Sequence, residues 1–211
     1  MGRRALKKLD PDVDLSRHYR TEEQLDRPFD PRTLFSCDAP LEVEIGSGKG
    51  LFLCAESARS PQHNFLGIEV SHKFARFAAA RSAKHQRPNV MIIDGDAQPL
   101  MAETPDACLA AVHVYFPDPW WKKRHRKRRV MNEPMLRHIE RTLVPGGLLH
   151  FWTDVEEYYR TTLALIAATI QLEGPSKVEE TPAQHDLDYR THFERRMRRS
   201  DLPVYRARYQ K

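Results

Sequence analysis

The chain has 211 residues, of which 40% are hydrophobic and 9% aromatic, enough for a well-formed core and too apolar for wholesale disorder. The 34 basic residues outnumber the 29 acidic ones, so the net charge is +5 with neutral histidines. Such an excess favours a polyanionic partner when it is concentrated in one segment. The longest apolar run, Ala107–Phe116, reaches half a membrane span, and the first residues lack a signal peptide's apolar stretch. We therefore expect a soluble, cytoplasmic protein.

The three cysteines argue against a metal centre and against a disulfide framework. Cys37, Cys54 and Cys108 are widely spaced and form no CxxC or Cys/His pattern. We expect free thiols in a reducing cytoplasm and no bound metal.

Strands and helices are predicted to alternate through the middle of the chain. The apolar, β-branched segments predict strands at Leu41–Ile45, Asn64–Val70, Val90–Asp94, Leu109–Phe116 and Leu148–Thr153. The helical segments run to about Ala58 after the first strand, then span Ser71–His85, Met131–Leu143 (ended by Pro145-Gly-Gly147) and Val155–Leu172. This alternation predicts right-handed βαβ units and a doubly wound α/β sheet.

Both ends of the chain are polar and weakly periodic. Residues 1–38 are charged and interrupted by prolines, which predicts a basic N-terminal arm that is partly ordered at best. Residues 39–211 form the predicted main domain, and its Arg-rich C-terminal segment carries short strand candidates at Ser176–Glu180 and Val204–Tyr209.

Acidic residues and glycines follow the first three main strands. Glu44 precedes Gly46 and Gly48 at the first strand–helix junction, where glycines permit a tight turn and close backbone approach to a ligand. Glu69 ends the second strand, where an acid can reach the ribose hydroxyls of a nucleoside. Asp96 follows the third strand, where an adenine amino group could be read. Since ligands bind at the carboxyl ends of strands in open sheets, we expect a nucleoside site there.

The turn itself favours a cationic nucleoside. It reads G-x-G-x-G with Glu44 two residues ahead, and a carboxylate there opposes a pyrophosphate at the helix N-terminus. S-adenosylmethionine, with its sulfonium and amino group, fits this arrangement, whereas NAD fits less well. A Walker A loop is excluded because Gly50 is followed by Leu51.

A basic, aromatic loop follows the fourth main strand. Phe116-Pro-Asp-Pro-Trp-Trp121 runs into Lys122–Arg129, in which seven of eight residues are Lys or Arg. The two prolines hold the Asp118 carboxylate at the ligand edge of the sheet, and the tryptophans offer flat faces for a base or a methionine moiety. The basic run can neutralise phosphates, which predicts contact with RNA or DNA.

Six segments together resemble the bacterial tRNA (guanine-N7-)-methyltransferase family. In the family's order along the chain, they are Glu44–Gly50, Gly67–Val70, Phe116–Trp120, Lys122–Arg129, Thr153-Asp154 and Thr191–Glu194. The resemblance covers most of the chain, and the Phe-Pro-Asp-Pro-Trp box is much more discriminating than the glycine turn. Two departures stand out: Trp121 replaces the family's usual His, and the tail from Arg195 to Lys211 contains no glycine.

The resemblance implies both a fold and a reaction. The fold is the Rossmann-like class I S-adenosylmethionine-dependent methyltransferase sandwich, a mostly parallel sheet with an antiparallel strand near the C-terminus. The implied reaction moves a methyl group from S-adenosylmethionine to N7 of a guanosine in tRNA, in the variable loop, and gives 7-methylguanosine. Monomers or small homo-oligomers are both compatible with the sequence.

The resemblance also implies roles for individual residues. The cofactor would be bound by Glu44, Gly46, Gly48, Glu69, Asp96 and Asp118. Asp118 would also be catalytic. The substrate guanosine would be held by Lys122, Asp154, Thr191, His192, Phe193 and Glu194. RNA would be contacted by Arg124, His125, Arg126, Lys127, Arg128 and Arg129.

Three other functions are compatible with parts of the sequence. One is an S-adenosylmethionine-dependent methyltransferase acting on another RNA or nucleobase atom, although Asp118-Pro-Trp lacks the second Pro and the Tyr of the amino-methyltransferase box. Another is a nucleic-acid-binding protein that retains the fold without catalysis. A nicotinamide dehydrogenase is disfavoured by the glycine turn.

Overall fold

The computed structural model describes residues 12–180 and 189–211, which contribute eight strands to one sheet in the order β1-β4-β3-β2-β5-β6-β8-β7. The strands are β1 Tyr19–Thr21, β2 Leu41–Ile45, β3 Asn64–Glu69, β4 Val90–Asp94, β5 Leu109–Tyr115, β6 Leu143–Thr153, β7 Glu173–Ser176 and β8 Tyr205–Gln210. The helices are α1 Leu51–Arg59, α2 His72–Lys84, α3 Ala97–Glu103, α4 Glu133–Thr142, α5 Glu156–Thr169 and α6 His192–Arg199.

The strand order reverses at the centre of the sheet. From β2 the chain moves outward through β3 and β4 on one side, and it returns to pair β5 with β2 on the other. All of these pairs are parallel, as is the pair of β5 with β6. A crevice forms outside the carboxyl ends of the strands at such a switch point, and ligands bind there in open α/β sheets.

One C-terminal strand, β8, runs against the rest of the sheet. β8 pairs antiparallel with both β6 and β7. This confirms the expected mostly parallel sheet with an antiparallel strand near the C-terminus.

Helices cover both faces of the sheet. Buried side chains from α1, α2 and α6, including Phe52, Ala78 and Met197, pack on one face. On the other face, α3, α4 and α5 contribute residues such as Leu100 and Leu136 to a larger apolar cluster. In the described ranges, no helix has the length and apolar character needed to cross a membrane.

Several local details differ from the sequence prediction. Helix α5 ends at Thr169 rather than at Leu172. Helix α4 ends at Thr142 rather than Leu143, and Pro145-Gly-Gly147 lies inside the long strand β6 instead of terminating the helix. A shift in the β5–β6 register between Leu109 and Ala111 accompanies this irregular start of the strand. The short helix α3 had no predicted counterpart. The strand predicted at Ser176–Glu180 is wrong, because the strand there is Glu173–Ser176, paired with β8.

Part of the N-terminal segment belongs to the sheet. β1 pairs in parallel with β4, placing Tyr19 beside Ile92, and Leu25 and Phe29 are buried in the larger apolar cluster. The three-residue strand was not predicted, since it is too short to show alternation. The division into an arm of residues 1–38 and a domain of residues 39–211 stays a prediction.

Candidate active site

The glycine turn after β2 needs glycine for two reasons. Gly46, Gly48 and Gly50 all have positive φ, at +77°, +54° and +64°, which other residues adopt only with strain. A Cβ on Gly50 would also lie 2.8 Å from Cβ of Ala78, so glycine lets α1 and α2 approach closely. The turn is anchored to β3 because the backbone N–H groups of Gly46 and Ser47 both donate to the carbonyl of Ile68.

Glu69 joins the glycine turn to the start of α2. Its carboxylate accepts hydrogen bonds from the backbone N–H groups of Gly48 and Ser71, each at 2.8 Å. Burial raises the pKa of Glu69 above its ordinary value; the two hydrogen bonds oppose that rise, and the charges of Asp118 and Asp94 add to it. Glu69 therefore occupies the predicted position at the crevice, between the first two strand ends.

Glu44 is a buried carboxyl group next to the same turn. It is 3% exposed, and its Oε2 atom has no hydrogen-bond partner among the residues that the structure describes. Burial raises its pKa well above the ordinary value, the charge of Glu69 adds to the rise, and Arg190 opposes it. A buried acceptor without a partner is costly unless a ligand supplies the donor. A cationic or amino-bearing ligand such as S-adenosylmethionine fits this acceptor.

The end of β4 brings two further carboxylates to this edge. Asp96 is exposed and is the N-cap of α3, where its Oδ1 accepts from the backbone N–H of Gln98 at 2.9 Å. Asp94 accepts from the hydroxyl of Tyr19 at 2.5 Å and lies equally close to His72 Nδ1. With Glu44, Glu69 and Asp118 nearby, the crevice gathers five carboxyl groups, which suits a cationic ligand.

The Phe-Pro-Asp-Pro-Trp box is conformationally strained. Phe116 and Trp120 have φ angles of +50° and +43°, a region that residues with a Cβ seldom occupy. Such strain persists only where the surroundings hold it, and it is concentrated at functional sites. Here Phe116 N–H donates to the carbonyl of Trp152, and Arg129 Nε donates to that of Pro119, both at 2.8 Å. Asp118, which lies between Phe116 and Trp120 in the sequence, is exposed to solvent at the mouth of the crevice, where its charge acts on Glu69.

The basic run continues from this box as a short 3-10 helix, Lys123–Arg128, after the exposed Lys122. Arg128 lies over the ring of Trp120 at 5.0 Å, and His125 meets the same ring edge-on at 5.8 Å. Arg126 pairs with Glu157 at 3.2 Å. Arg124 and Lys127 are also exposed cations of the run. Arg129 lies over the ring of Tyr158. The run thus presents charge to solvent beside the crevice, and RNA contact by these residues stays a prediction.

The Thr191–Glu194 segment reaches the same crevice from the C-terminal side. Phe193 is 46% exposed and stacks on Phe116, with ring centres 5.9 Å apart. Thr191 caps α6 by accepting from Glu194 N–H, and His192 Nε2 lies 3.2 Å from a guanidinium nitrogen of Arg81. The structure brings this segment against the Asp118 box through the two phenylalanine rings, and its predicted contact with guanosine stays a prediction.

Glu194 is held by the protein itself. It is 3% exposed, accepts from the backbone N–H of Arg190 at 2.7 Å, and lies 3.2 Å from Arg206 and 3.5 Å from Arg198. These contacts stabilise the start of α6. The guanosine contact predicted for Glu194 stays a prediction.

Asp154 follows β6 and is half-buried. The N-cap of α5 is Val155, so Asp154 does not cap that helix. Its side chain is therefore not used to start the helix, and its predicted contact with guanosine stays a prediction.

Sequence reasoning missed Arg190. Its guanidinium lies between the rings of Phe52 and Trp152, 5.6 Å from each, and 3.5 Å from the hydroxyl of Tyr115. It also lies 3.7 Å from Glu56 and provides positive charge near Glu44. No local pattern marks one arginine in an Arg-rich segment, so only the fold could find it.

The fold is shared with solved methyltransferase structures. The 16S rRNA methyltransferase KamB superposes with a TM-score of 0.62 at 16% identity, covering 85% of this chain and 91% of that one. A 16S rRNA (adenine(1408)-N(1))-methyltransferase from Catenulisporales acidiphilia, solved with its cosubstrate SAM, gives a TM-score of 0.57 at 19% identity, covering 81% and 85%. The reversed sheet, the glycine turn and the acids at successive strand ends define a class I S-adenosylmethionine-dependent methyltransferase.

Sequence relatives give the family. Residues 38–207 match the family model described as "Putative methyltransferase". A tRNA (guanine-N(7)-)-methyltransferase from Rhodopirellula baltica is 50% identical over all of this chain and 80% of its own length. One from Cupriavidus necator is 38% identical over 81% of this chain and 65% of its own length. The chain belongs to the tRNA (guanine-N(7)-)-methyltransferase family.

Proposed function

We propose that this chain transfers a methyl group from S-adenosylmethionine to N7 of a guanosine in tRNA and produces 7-methylguanosine. The observation that carries the proposal is an acidic crevice, lined by Glu44, Glu69 and Asp118, with an exposed basic run at its edge. A cationic cosubstrate suits the crevice, and a polyanionic substrate suits the run. The Rhodopirellula baltica relative, which aligns with the whole chain, supports the choice of N7 and of tRNA.

The cosubstrate would be held by residues from three strand ends. Bound S-adenosylmethionine supplies an electrophilic methyl group on a positively charged sulfur. Glu44 offers its unpartnered buried oxygen to a cationic or amino group, and Glu69 offers carboxylate oxygens to ribose hydroxyls. Gly46 and Gly48 leave the backbone open for close approach, and Asp96 reads the adenine amino group.

Asp118 is the proposed catalytic residue. Guanine N7 carries an exposed lone pair, so no proton has to be removed and no general base is needed. The protein has to align N7 with the methyl group and to stabilise the positive charge that develops on the purine. A carboxylate at the mouth of the crevice can accept hydrogen bonds from the guanine N1–H and amino group, and it stabilises the ring cation.

The remaining predicted residues would hold the guanosine and the RNA around it. Lys122, Asp154 and the Thr191–Glu194 segment would hold the guanosine, with Phe193 presenting an exposed ring beside Phe116. Arg124–Arg129 would contact the phosphate backbone of tRNA, with the variable loop as the target. A cytoplasmic location and a monomeric or small homo-oligomeric state remain predictions.

The decisive experiment is to identify the methylated nucleoside. Purified protein is incubated with unmodified tRNA and S-adenosylmethionine carrying a labelled methyl group, and the tRNA is then digested and analysed by mass spectrometry. We expect labelled 7-methylguanosine, and fragment mapping should place it in the variable loop. A label on an exocyclic amine would contradict the reaction. Tight tRNA and cosubstrate binding without any transfer would indicate a binding protein instead.

A further inference from the structure

The N-terminal strand β1 lies against the loop that contains Asp96, the residue proposed to bind the adenine amino group. β1 pairs in parallel with β4, and Thr21 lies opposite Asp94 at the end of the pairing. The hydroxyl of Tyr19 donates to Asp94 Oδ2 at 2.5 Å. The chain therefore enters its first short helical turn, Glu22–Gln24, directly beside the loop Asp94-Gly95-Asp96.

Glu22 is packed against this loop at two successive residues. Its Oε2 accepts a hydrogen bond from the backbone N–H of Asp96 at 3.2 Å. A Cβ on Gly95 would lie 2.8 Å from the same oxygen and 3.3 Å from Cβ of Glu22, so a larger residue would displace the carboxylate. The absence of a side chain at residue 95 is what admits Glu22.

Glu22 is itself held in place. Gln24 folds back so that its Oε1 accepts from the backbone N–H of Thr21 at 2.9 Å, which fixes the turn. Arg27 lies 3.6 Å from Glu22 and 2.7 Å from Glu103 at the end of α3. Residues 22–27 thus contact both ends of α3: Glu22 bonds to its N-cap Asp96, and Arg27 pairs with Glu103 at its last residue.

We propose that Glu22 is a positioning residue for the cosubstrate, acting through Asp96. The backbone of Asp96 is held by Glu22, while its side chain is turned toward the start of α3 by the bond to Gln98. These two contacts together set the direction of the carboxylate that the proposed function assigns to the adenine amino group. On the other side, the loop is tied by Gly95 N–H donating to the carbonyl of Glu69 at 3.2 Å. The proposal rests on the proposed function of Asp96.

The test compares two ligands that differ at position 6 of the purine and at the adjacent N1. S-adenosylhomocysteine carries the amino group and an N1 lone pair, and S-inosylhomocysteine has a carbonyl oxygen and an N1–H there. Calorimetry on the full chain gives the ratio of the two affinities for the native protein, Glu22→Ala, Glu22→Gln and the control Glu23→Ala. Glu23 is the adjacent exposed acid and leaves the bond to Asp96 intact.

We expect Glu22→Ala to weaken binding of S-adenosylhomocysteine about three- to tenfold, as for the loss of one positioning hydrogen bond. The affinity for S-inosylhomocysteine should change much less, so the preference of the protein for S-adenosylhomocysteine becomes smaller. Glu22→Gln retains a carbonyl acceptor and should restore the ratio, and Glu23→Ala should leave it unchanged. Hydrogen exchange at the Asp96 amide should be faster in Glu22→Ala than in the native protein.

Two outcomes would overturn the proposal, and they are distinguishable from failure of the proposed function. An equal loss of affinity for both ligands in Glu22→Ala would mean that Glu22 only stabilises the fold. Native affinity for both ligands in that variant would mean that Glu22 does not act on Asp96. Asp96→Ala provides the reference, because it removes the acceptor altogether: if that variant keeps the native ratio, the proposed contact of Asp96 with the adenine amino group is wrong.

Discussion

The Glu69 carboxylate lies 2.8 Å from the backbone nitrogen of Gly48, so one side chain at the end of β3 holds the glycine turn that follows β2. Because the same carboxylate also accepts a hydrogen bond from the backbone N–H of Ser71, it fixes the two strand–helix junctions that flank the proposed cosubstrate site. Changes at this residue therefore act both on ligand contacts and on the geometry of the turn.

Glu69→Ala should weaken S-adenosylmethionine binding by roughly 1.5–3 kcal/mol, the cost of losing a charged hydrogen-bond acceptor. Glu69→Gln keeps one acceptor for the Gly48 N–H but loses the charge, so we expect a smaller loss. Calorimetry with each variant measures the affinity. Native affinity in the Ala variant would mean that Glu69 is only a structural carboxylate.

Glu44→Gln should stabilise the ligand-free protein while weakening S-adenosylmethionine binding. The folded-state pKa of Glu44 is raised by burial, so its protonated form is favoured, and the associated stability is lost as pH rises through that pKa. The amide cannot ionise, so the melting temperature of the variant should exceed that of the native protein by a margin that grows as pH rises above the ordinary pKa of a glutamate and levels off above the raised pKa. For a chain of this size, about 1 kcal/mol corresponds to about 2–4 °C.

Thermal melts across pH, with and without ligand, would check this trade-off. Added S-adenosylmethionine should raise the melting temperature of the native protein more than that of Glu44→Gln, since the unpartnered oxygen is then satisfied. A variant that is less stable than the native protein at every pH would show that the Glu44 carboxylate is stabilising without a ligand.

Asp118→Asn should reduce turnover at least tenfold, or about 1.4 kcal/mol of transition-state stabilisation, since shape is kept and charge is removed. Single-turnover rates on tRNA with saturating S-adenosylmethionine measure this step separately from binding. Because N7 has no proton to lose, the native rate should show no limb near neutral pH from deprotonation of guanine. A near-native rate in the Asn variant would exclude an electrostatic role for Asp118.

Replacing Arg126, Lys127 and Arg128 together with Ala should raise the KM for tRNA and flatten its dependence on salt. Each lost phosphate contact reduces the slope of log affinity against log salt by about 0.7–0.9. S-adenosylmethionine affinity should not change. Arg137→Ala is the matched control, since Arg137 is an exposed cation on α4 that pairs with Glu133. Equal salt dependence in the triple variant and the control would mean that the run does not bind tRNA.

The positions of some residues at the crevice could be predicted from local sequence, and the positions of others could not. Glu44, Glu69 and Asp96 could be placed at strand ends because apolar runs predict buried strands and glycine marks the turn that follows. Glu22 and Arg190 could not, since each acts on residues distant in sequence and has no periodic context. Glu22 reaches Asp96 only because β1 pairs with β4. The end of α4 was predicted one residue late, and the strand near Ser176 was misplaced.

The sequence by itself determined the parallel α/β sheet, the family resemblance and the predicted cosubstrate, because these depend on periodicity and on motifs within a few residues. Only the tertiary structure decided which polar groups are buried without a partner among residues 12–180 and 189–211, such as Glu44 Oε2, and which are satisfied by distant residues, such as Glu194. Desolvation and hydrogen bonding depend on every element packed around a group, and the sheet brings those elements together from across the chain.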